Sequence, residues 1–545
     1  MRHQVSSRTW LATLLVALTA TGAGSSSITA AEPTIAIDEE TTFITGPLAA
    51  DGLPNYAQAI MDRQAKGVTE DNNGAILFWQ AMGPSGVSDD DFQRICDALR
   101  IDPLTCQPRF DGPRTEHFDE KLIEWLKSQD PTLNTASGVE LSHQVIDAIT
   151  EGRLLASSAP PVTAWLEANE QRLDQFVASA ARPRFYSPPP NLLQNQSSEL
   201  ALVTLPDAEQ LRSAACALAL RANWRLSKSQ FAEAWDDAWA KWRQGAQVNQ
   251  GWTVINSLVS VSLRERAGRV TLAILQSPEV PTKLLHQIRE DLSTLEQSTD
   301  LAPIIDFGER CVAMDLCLRL FRGRLGGLNV EDADSLSRIR TLDFDESQVL
   351  RIVNDWHDRV ARAASEPQPR RRLRIQKELF AELAESVPLV TESLNRDQRS
   401  QPVGDALAYY LLDAVSSGFK AKSRDETRLR LLRVAVELAI YRAEHNGYPT
   451  SLDELALDDA TLLDDPYSDE RLIYRRTRDG YLLYSLFEDK DDDNGSDFTG
   501  EIENGAWVAP DEVERREHDD CDLVLRQPLP PLKFPTKSAS NDAGP

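Results

Sequence analysis

The chain has 545 residues, with 58 Lys and Arg against 85 Asp and Glu, which gives a formal net charge of -27 at pH 7. Such acidity argues against nonspecific nucleic-acid binding and against docking on anionic lipid. The length allows several domains, each with a full hydrophobic core. Six cysteines are few for this length, so we do not expect disulfides to be the scaffold of the fold.

Residues 1–31 have the pattern of a secretory signal peptide. Arg2 and Arg8 precede an apolar run over 10–20, and small residues follow as far as Ala31. The apolar run is shorter than the roughly 20 residues that a membrane-spanning helix needs. We therefore expect export to the periplasm or the extracellular space, with cleavage after Ala31 and no integral membrane segment in the mature chain.

Helical periodicity dominates residues 32–420, which we divide into an N-terminal helical region, 32–190, and a second helical region, 191–420. The opening of the first region, from 51 to 84, resembles exported bacterial proteins without a characterised activity. The proline-rich stretch 182–193 predicts either a linker or an extended strap. We favour a strap across a helical surface, because Phe185, Tyr186 and Leu192 need cover.

Residues 207–245 predict a helical hairpin with its break at 226–228. The small residues around Ala215 and Ala219 resemble a tetratricopeptide hairpin, but the period does not recur cleanly, so we expect an irregular helical array. An aromatic stripe lies on one face of the second helix at helical spacing, and it favours core packing over a ladder for stacking ligands. The stripe consists of Phe231, Trp235, Ala238, Trp239 and Trp242.

The cysteines fall into two groups. Cys96 and Cys106 flank Pro103 and are close enough in sequence to close a small loop in an oxidising compartment. Cys311 and Cys317 lie on one predicted helix and point to different faces, which favours buried thiols. There is no C-x-x-C pair, so zinc-ribbon and thioredoxin-like chemistry lose support.

The C-terminal part predicts a small α+β module over 425–526, followed by a disordered tail over 527–545. An apolar helix over 427–444 ends near Gly447, which suits a left-handed C-cap, and Pro449. Ser451 and Glu454 form a capping box for a short helix. Strands are expected at 472–476 and 481–486 around a turn at 479–480, with a further strand at 521–525.

This part resembles the soluble domain of the major pseudopilins of type II secretion. The resemblance is carried by Gly447-Tyr448-Pro449, Asp465-Pro466, Tyr474-Arg475 and Gly480-Tyr481…Tyr484-Ser485, in that order. It implies a helix backed by a β-hairpin and an acidic, calcium-binding loop. Phe487 stands where the family usually has glycine, and no long apolar helix adjoins Thr427. We therefore expect a related module on another kind of protein, not a fibre subunit.

The loop 489–497 concentrates carboxylates and is the candidate metal site. Calcium takes six to eight oxygen ligands, and alternating aspartates in a glycine-containing turn supply several of them. The expected ligands are Asp489, Asp491, Asp493 and Asp497. The alternative is a solvated acidic turn kept open by charge repulsion.

No catalytic spacing is recognisable: the sequence has no H-E-x-x-H helix, no G-x-S-x-G elbow and no Walker loop. Glu116-His117 and Trp356-His357-Asp358 are weak evidence, because neighbours in a helix do not face each other. The sequence therefore favours a binding or scaffolding protein, with an unidentified protein partner on its helical surface or C-terminal module. A periplasmic hydrolase with converging carboxylates and an accessory component of a secretion or pilus-like machine are the alternatives.

Overall fold

The computed structural model describes residues 35–528 except 130–134, 195–198, 296–299, 326–338, 340, 387–394, 458, 469, 489, 493, 496–500, 504–505 and 509–522. At 135–137 and 501–508 only the backbone is described. The signal peptide predicted at 1–31 lies outside these residues, as does nearly all of the predicted tail at 527–545. No helix among the described residues is both long and apolar enough to cross a membrane.

The protein is mainly helical, as the sequence predicts. The N-terminal helices are α1 (Tyr56–Ala65), α2 (Gly74–Met82), α3 (Asp89–Leu99), α4 (Glu116–Gln129), α5 (Thr135–Thr150), α6 (Pro160–Ala168), α7 (Glu170–Ala180) and α8 (Pro190–Gln194). The later helices are α9 (Pro206–Leu226), α10 (Phe231–Val248), α11 (Val254–Gln276), α12 (Thr282–Ser293), α13 (Arg310–Phe321), α14 (Glu346–Ala364), α15 (Pro369–Ser386) and α16 (Arg396–His445).

Helices α9, α10 and α11 pack side by side at the centre of the fold. α9 and α10 form the predicted hairpin, and its turn lies between Leu226 and Phe231. Trp235 and Trp242 of the aromatic stripe are almost completely buried, so the stripe belongs to the core, as expected. The indole of Trp242 donates to the Thr271 hydroxyl of α11 at 3.2 Å.

The proline-rich segment after α7 is a strap, as expected, and it lies across α2. Asn73, the N-cap of α2, exchanges two hydrogen bonds with the backbone of Tyr186, both 2.9 Å long. The indole of Trp79 donates to the Ser187 hydroxyl at 2.9 Å. Phe185 is buried against Phe78, which explains why so polar and proline-rich a segment is held in place.

Helix α16 is longer than the sequence suggests. We expected separate helices at about 403–416 and 427–444, but the structure shows 50 continuous helical residues from Arg396 to His445. The connecting stretch contains polar side chains that find buried partners. Asp425 binds Arg264 of α11 at 2.8 Å, and the Thr427 hydroxyl donates to the Ser423 carbonyl at 2.9 Å. The expected boundary at 420–425 thus falls inside one helix.

The C-terminal sheet has the strand order β1–β2–β5 and is antiparallel throughout. Its strands are β1 (Ile473–Arg476), β2 (Tyr481–Ser485) and β5 (Leu523–Gln527), so both the hairpin and the added strand are confirmed. A second ribbon pairs β3 (Glu501–Glu503) with β4 (Ala506–Val508). The short helix after Ser451 is a single 3₁₀ turn, closed by the predicted capping box.

The end of α16 differs in one detail from the expectation. The left-handed C-cap residue is Asn446, with φ 57° and ψ 30°, and not Gly447. Asparagine tolerates this conformation better than other residues with a side chain, because its short polar group can hydrogen-bond locally. The sheet then packs against α16 and α11, and the Gln527 amide donates to the Leu272 carbonyl at 3.0 Å.

Cys311 and Cys317 are fully buried free thiols, as expected. Cys96, at the end of α3, is also fully buried, and the half-buried Cys106 is close enough to affect its pKa. Burial raises the pKa of Cys96 to about 12. The two thiols are therefore neighbours, as the sequence suggests, and neither is an activated thiolate at neutral pH.

We expect oxidised glutathione to join Cys96 and Cys106 in a disulfide and to release two equivalents of glutathione thiol. The short loop so closed should raise the free energy of unfolding by about 2–3 kcal/mol. Non-reducing peptide mapping identifies the bond, and urea unfolding with and without reductant measures its effect. The variant Cys106→Ser is the control, because its stability should not respond to the reductant. Alkylation of both thiols after glutathione treatment would contradict the prediction.

Candidate functional site

The acidic loop is described only in part. Asp489, Asp493 and Asp497 lie outside the described residues, and Asp491 is exposed. No group of three metal-ligating side chains occurs within the part of the chain that the structure describes. Calcium binding at this loop therefore stays a prediction.

The neighbouring Asp492, which the sequence does not single out, has a structural role. Its carboxylate accepts a hydrogen bond from the Tyr484 hydroxyl at 2.8 Å and lies 3.2 Å from the Arg475 guanidinium. The hydrogen bond from Tyr484 holds the pKa of Asp492 below its usual value. These contacts tie the start of the loop to the outer face of β1 and β2.

Asp465, in the Asp-Pro turn, holds the other side of this loop. Its buried carboxylate accepts hydrogen bonds from the Ser485 hydroxyl at 2.7 Å and from the backbone N–H groups of Tyr467 and Leu486 at 3.0 Å. These hydrogen bonds satisfy both the buried carboxylate and the three groups that donate to it. This residue of the pseudopilin-like pattern thus fixes the end of β2.

A cavity of about 850 Å³ opens on the helical body, far along the sequence from the acidic loop. Its walls are the loop 109–115, the first turns of α4 and α9, and the middle of α11. A smaller cavity of about 420 Å³ adjoins it and shares Gly86 and Arg109 with it. A volume of this size accommodates a small organic molecule.

The loop that forms one wall is held rigidly by the helical core. The N–H of Phe110 donates to the Met82 carbonyl at 2.9 Å, and the Ser85 hydroxyl donates to the Phe110 carbonyl at 3.1 Å. The indole of Trp165 donates to the Asp111 carbonyl at 2.9 Å. The cavity wall is therefore preformed and does not need a ligand to order it.

Four arginines line the cavity, which is notable in so acidic a protein. They are Arg109, Arg114, Arg212 and Arg266. Arg114 and Arg212 each have an acidic partner. Arg109 and Arg266 make no hydrogen bond or ion pair with any residue that the structure describes. Two guanidinium groups therefore have donors available for a molecule in the cavity.

Carboxylates and one histidine also line the cavity. His117 lies 3.8 Å from the Asp111 carboxylate and 3.9 Å from that of Glu120, distances of weak ion pairs rather than hydrogen bonds. Its sequence neighbour Glu116 also lines the cavity. The other predicted acid–histidine pair, at 356–358, is elsewhere, and burial lowers the pKa of His357 to about 4.

Small side chains of α9 line part of the cavity, and the neighbouring helix α10 carries two buried polar side chains. Ser213 and Cys216 of α9 line the cavity, and the opposite helix α10 carries Lys241 and Gln244. Both are 0% exposed. Neither the Lys241 amine nor either polar atom of the Gln244 amide has a hydrogen-bond partner. Each such buried group costs about 1–3 kcal/mol.

Burial also changes the protonation of these groups. It lowers the pKa of Lys241 to about 7, although the Cys216 thiol and Asp237 act in the opposite direction. The guanidinium groups of Arg266 and Arg269 on α11 lower it further.

Comparisons with protein-family models, with curated protein sequences and with solved structures give no match.

Sequence reasoning missed this cavity, because its lining residues come from four separate parts of the chain. The available signal was local: residues 107–117 contain two arginines and two prolines around Asp111 in an otherwise acidic chain. In the sequence, Lys241 is one of several polar residues between the aromatic residues of α10, and nothing marks it as buried. Only the packing of α10 between α9 and α11 shows that this lysine is buried.

Proposed function

We propose that this protein binds a small anionic molecule, one that carries carboxylate or phosphate groups, in the cavity between the loop 109–115, α9 and α11. The observation that carries the proposal is the pair Arg109 and Arg266, which line the cavity and have no acidic partner among the described residues. Guanidinium groups bind carboxylate and phosphate through paired hydrogen bonds, which are stronger than neutral ones. The proposal assigns the binding role expected from the sequence to this cavity.

The cavity carboxylates limit the size and charge of the ligand. Glu209 is engaged by Arg212 at 3.2 Å, and Asp111 and Glu120 face His117. Arg109 and Arg266 are therefore the lining guanidinium groups without an acidic partner among the described residues, and they are the groups that a compact anion would contact. A long acidic polymer would meet the carboxylates and the negative surface of the whole chain.

We expect citrate and orthophosphate to bind the full chain in calorimetric titrations and to raise its melting temperature, whereas glucose should do neither. The double variant Arg109→Gln/Arg266→Gln should weaken binding at least tenfold, because each lost charge-assisted hydrogen bond is worth about 1.5–3 kcal/mol. The control is Arg478→Gln, which removes a positive charge from the exposed β1–β2 turn.

Two results would refute this function. One is the absence of heat and of thermal stabilisation at 10 mM of either anion. The other is an equal loss of affinity in Arg478→Gln and in the double variant, which would show that only the net charge matters. Hydrolysis of a phosphate or carboxylate ester by the wild-type chain would instead favour the alternative of a hydrolase.

We also propose that the protein is exported and that its C-terminal module is related to the soluble domain of the pseudopilins. One feature supports the resemblance: Phe487 occupies the position of the family's glycine and adopts φ 54°, a conformation that glycine favours. Its ring is buried against Tyr467, with 4.9 Å between the ring centroids. The core contact offers a reason why a large residue stands at this position.

A further inference from the structure

We propose that the ligand is an amphipathic acid. Its carboxylate or phosphate group binds Arg109 and Arg266 in the larger cavity, and its apolar chain or ring lies in the adjoining cavity of about 420 Å³. This inference rests on the proposed function and deepens it, because it names the uncharged part of the ligand. The ligand class narrows to acids with one compact head group and an apolar tail.

Arg109 connects the two cavities. Among the described residues it contributes the only side chain that lines both of them, since the other shared residue is Gly86. The side-chain amide of Gln210 packs against Gly86 on the side of the larger cavity and makes no hydrogen bond with any residue that the structure describes. An acidic group bound by Arg109 and Gln210 therefore has the smaller cavity next to it.

The charges in the smaller cavity disfavour a second acidic group there. Apart from Arg109, its one charged lining side chain within the described part of the chain is Asp91. Both carboxylate oxygens of Asp91 are already engaged, one by Arg94 at 2.6 Å and the other by the Ser88 hydroxyl at 2.8 Å. A second carboxylate would be repelled by Asp91, whereas an uncharged group would not.

The apolar part of the smaller cavity's wall is held in place by the fold. It consists of Val87, Pro190, Leu205 and Pro206. Val87 and Leu205 pack against the hydrophobic core, and Pro190 is buried at the first residue of α8, which packs on α3. Burial against such a wall strengthens binding roughly fourfold for each methylene group that leaves water.

The test compares acetate, hexanoate and adipate, which is hexanoate with a second carboxylate at its far end. Ligand-observed NMR titrations of the full chain give the dissociation constants. We expect hexanoate to bind tighter than acetate by a factor of about ten or more, because it buries several more methylene groups. Adipate should bind more weakly than hexanoate. Methylphosphonate and hexylphosphonate repeat the comparison with a phosphate-like head group, and the tighter long acid identifies the preferred head group.

The variant Thr204→Trp tests where the tail lies. Thr204 is exposed and lines only the smaller cavity, which the larger ring should partly fill. The preference for the long acid over the short one should then fall to about threefold or less, because fewer methylene groups leave water. The control is Leu202→Trp, which adds the same ring at a position that is 40% exposed and lines neither cavity. It should keep the wild-type preference.

Several results would overturn the inference and leave the proposed function standing on citrate and orthophosphate. One is that neither long acid binds more tightly than its short counterpart. Another is that adipate binds more tightly than hexanoate. A third is that Thr204→Trp keeps the wild-type preference, since the tail then lies elsewhere. If the wild-type chain binds no anion, or if Arg109→Gln/Arg266→Gln binds the long acids unchanged, the proposed function fails and the inference fails with it.

Discussion

Replacing Asp237 by alanine is expected to lower the free energy of unfolding by about 3–5 kcal/mol, the cost of breaking a buried ion pair on one side. Asp237 is 0% exposed and accepts hydrogen bonds from the Arg221 guanidinium at 2.6 and 3.1 Å. Arg225 approaches its second oxygen at 2.8 Å. Without the carboxylate, Arg221 keeps its charge in the core with one partner fewer.

Asp174 provides a matched control for this prediction. It contacts the same guanidinium, at 2.7 Å, but its side chain is 62% exposed. Asp174→Ala should therefore cost less than about 1 kcal/mol. The measurement is urea unfolding of the full chain, followed by far-UV circular dichroism. If Asp237→Ala lowers the free energy of unfolding no more than Asp174→Ala does, burial does not determine how much this ion pair contributes to stability.

A double replacement separates the cost of the unpaired Arg221 charge from the loss of attraction between Arg221 and Asp237. Arg221→Met with Asp237→Leu removes the two fully buried charges and fills the space with apolar atoms, while Arg225, which is 15% exposed, keeps Asp174 at 4.0 Å. It should recover most of the stability lost in Asp237→Ala, because the penalty arises from the unpaired charge and not from the missing attraction. If the double variant is less stable than Asp237→Ala, the pair itself contributes the stability.

The elements that the sequence predicts well are those whose signals are local. The hairpin of α9 and α10, the strap at 182–193, the capping box at Ser451 and the strands around Gly480 each depend on neighbouring residues. Turn residues, caps and periodicity act over a few positions, so they are readable in one chain. These are also the features that later packing leaves unchanged.

The continuity of α16 illustrates what the sequence does not contain. Its polar middle, with Gly418 and Asp425, has the composition of a connection between helices. In the fold, a side chain at Gly418 would come within 2.8 Å of Val254, and Asp425 is paired with Arg264. Both partners belong to α11, far away in the sequence. Tertiary contacts thus override a local helix-breaking signal, as they often do.

The cavity could not be predicted from the sequence for a similar reason. Its arginines come from the loop 109–115, from α9 and from α11, which meet only in the folded chain. Residue type and spacing suggest a site when its candidate ligands share one loop or helix, as the aspartates at 489–497 do. They reveal nothing about a site whose members meet only after the chain has folded.

Gly480→Ala is expected to destabilise the C-terminal sheet by about 3 kcal/mol, the upper end of the usual cost of overpacking. The sequence suggests that Gly480 is a turn residue, and its carbonyl does close the turn by accepting from the Thr477 N–H at 2.9 Å. The structure shows a second constraint. A Cβ atom at this position would lie 1.9 Å from the Gln527 carbonyl oxygen and 2.6 Å from its carbon.

The clash is with backbone, so rotation of a side chain cannot relieve it. Strand β5 would have to move away from β2, where Gln527 pairs with Tyr481, and from the Leu272 carbonyl that its amide binds at 3.0 Å. Hydrogen exchange should therefore accelerate in β5 and β2 before it changes in α9 or α10. The control is Gly447→Ala, where the nearest atom would be 3.7 Å away, at the end of the flexible Arg476 side chain. Equal exchange in wild type and Gly480→Ala would show that β5 does not depend on this close approach.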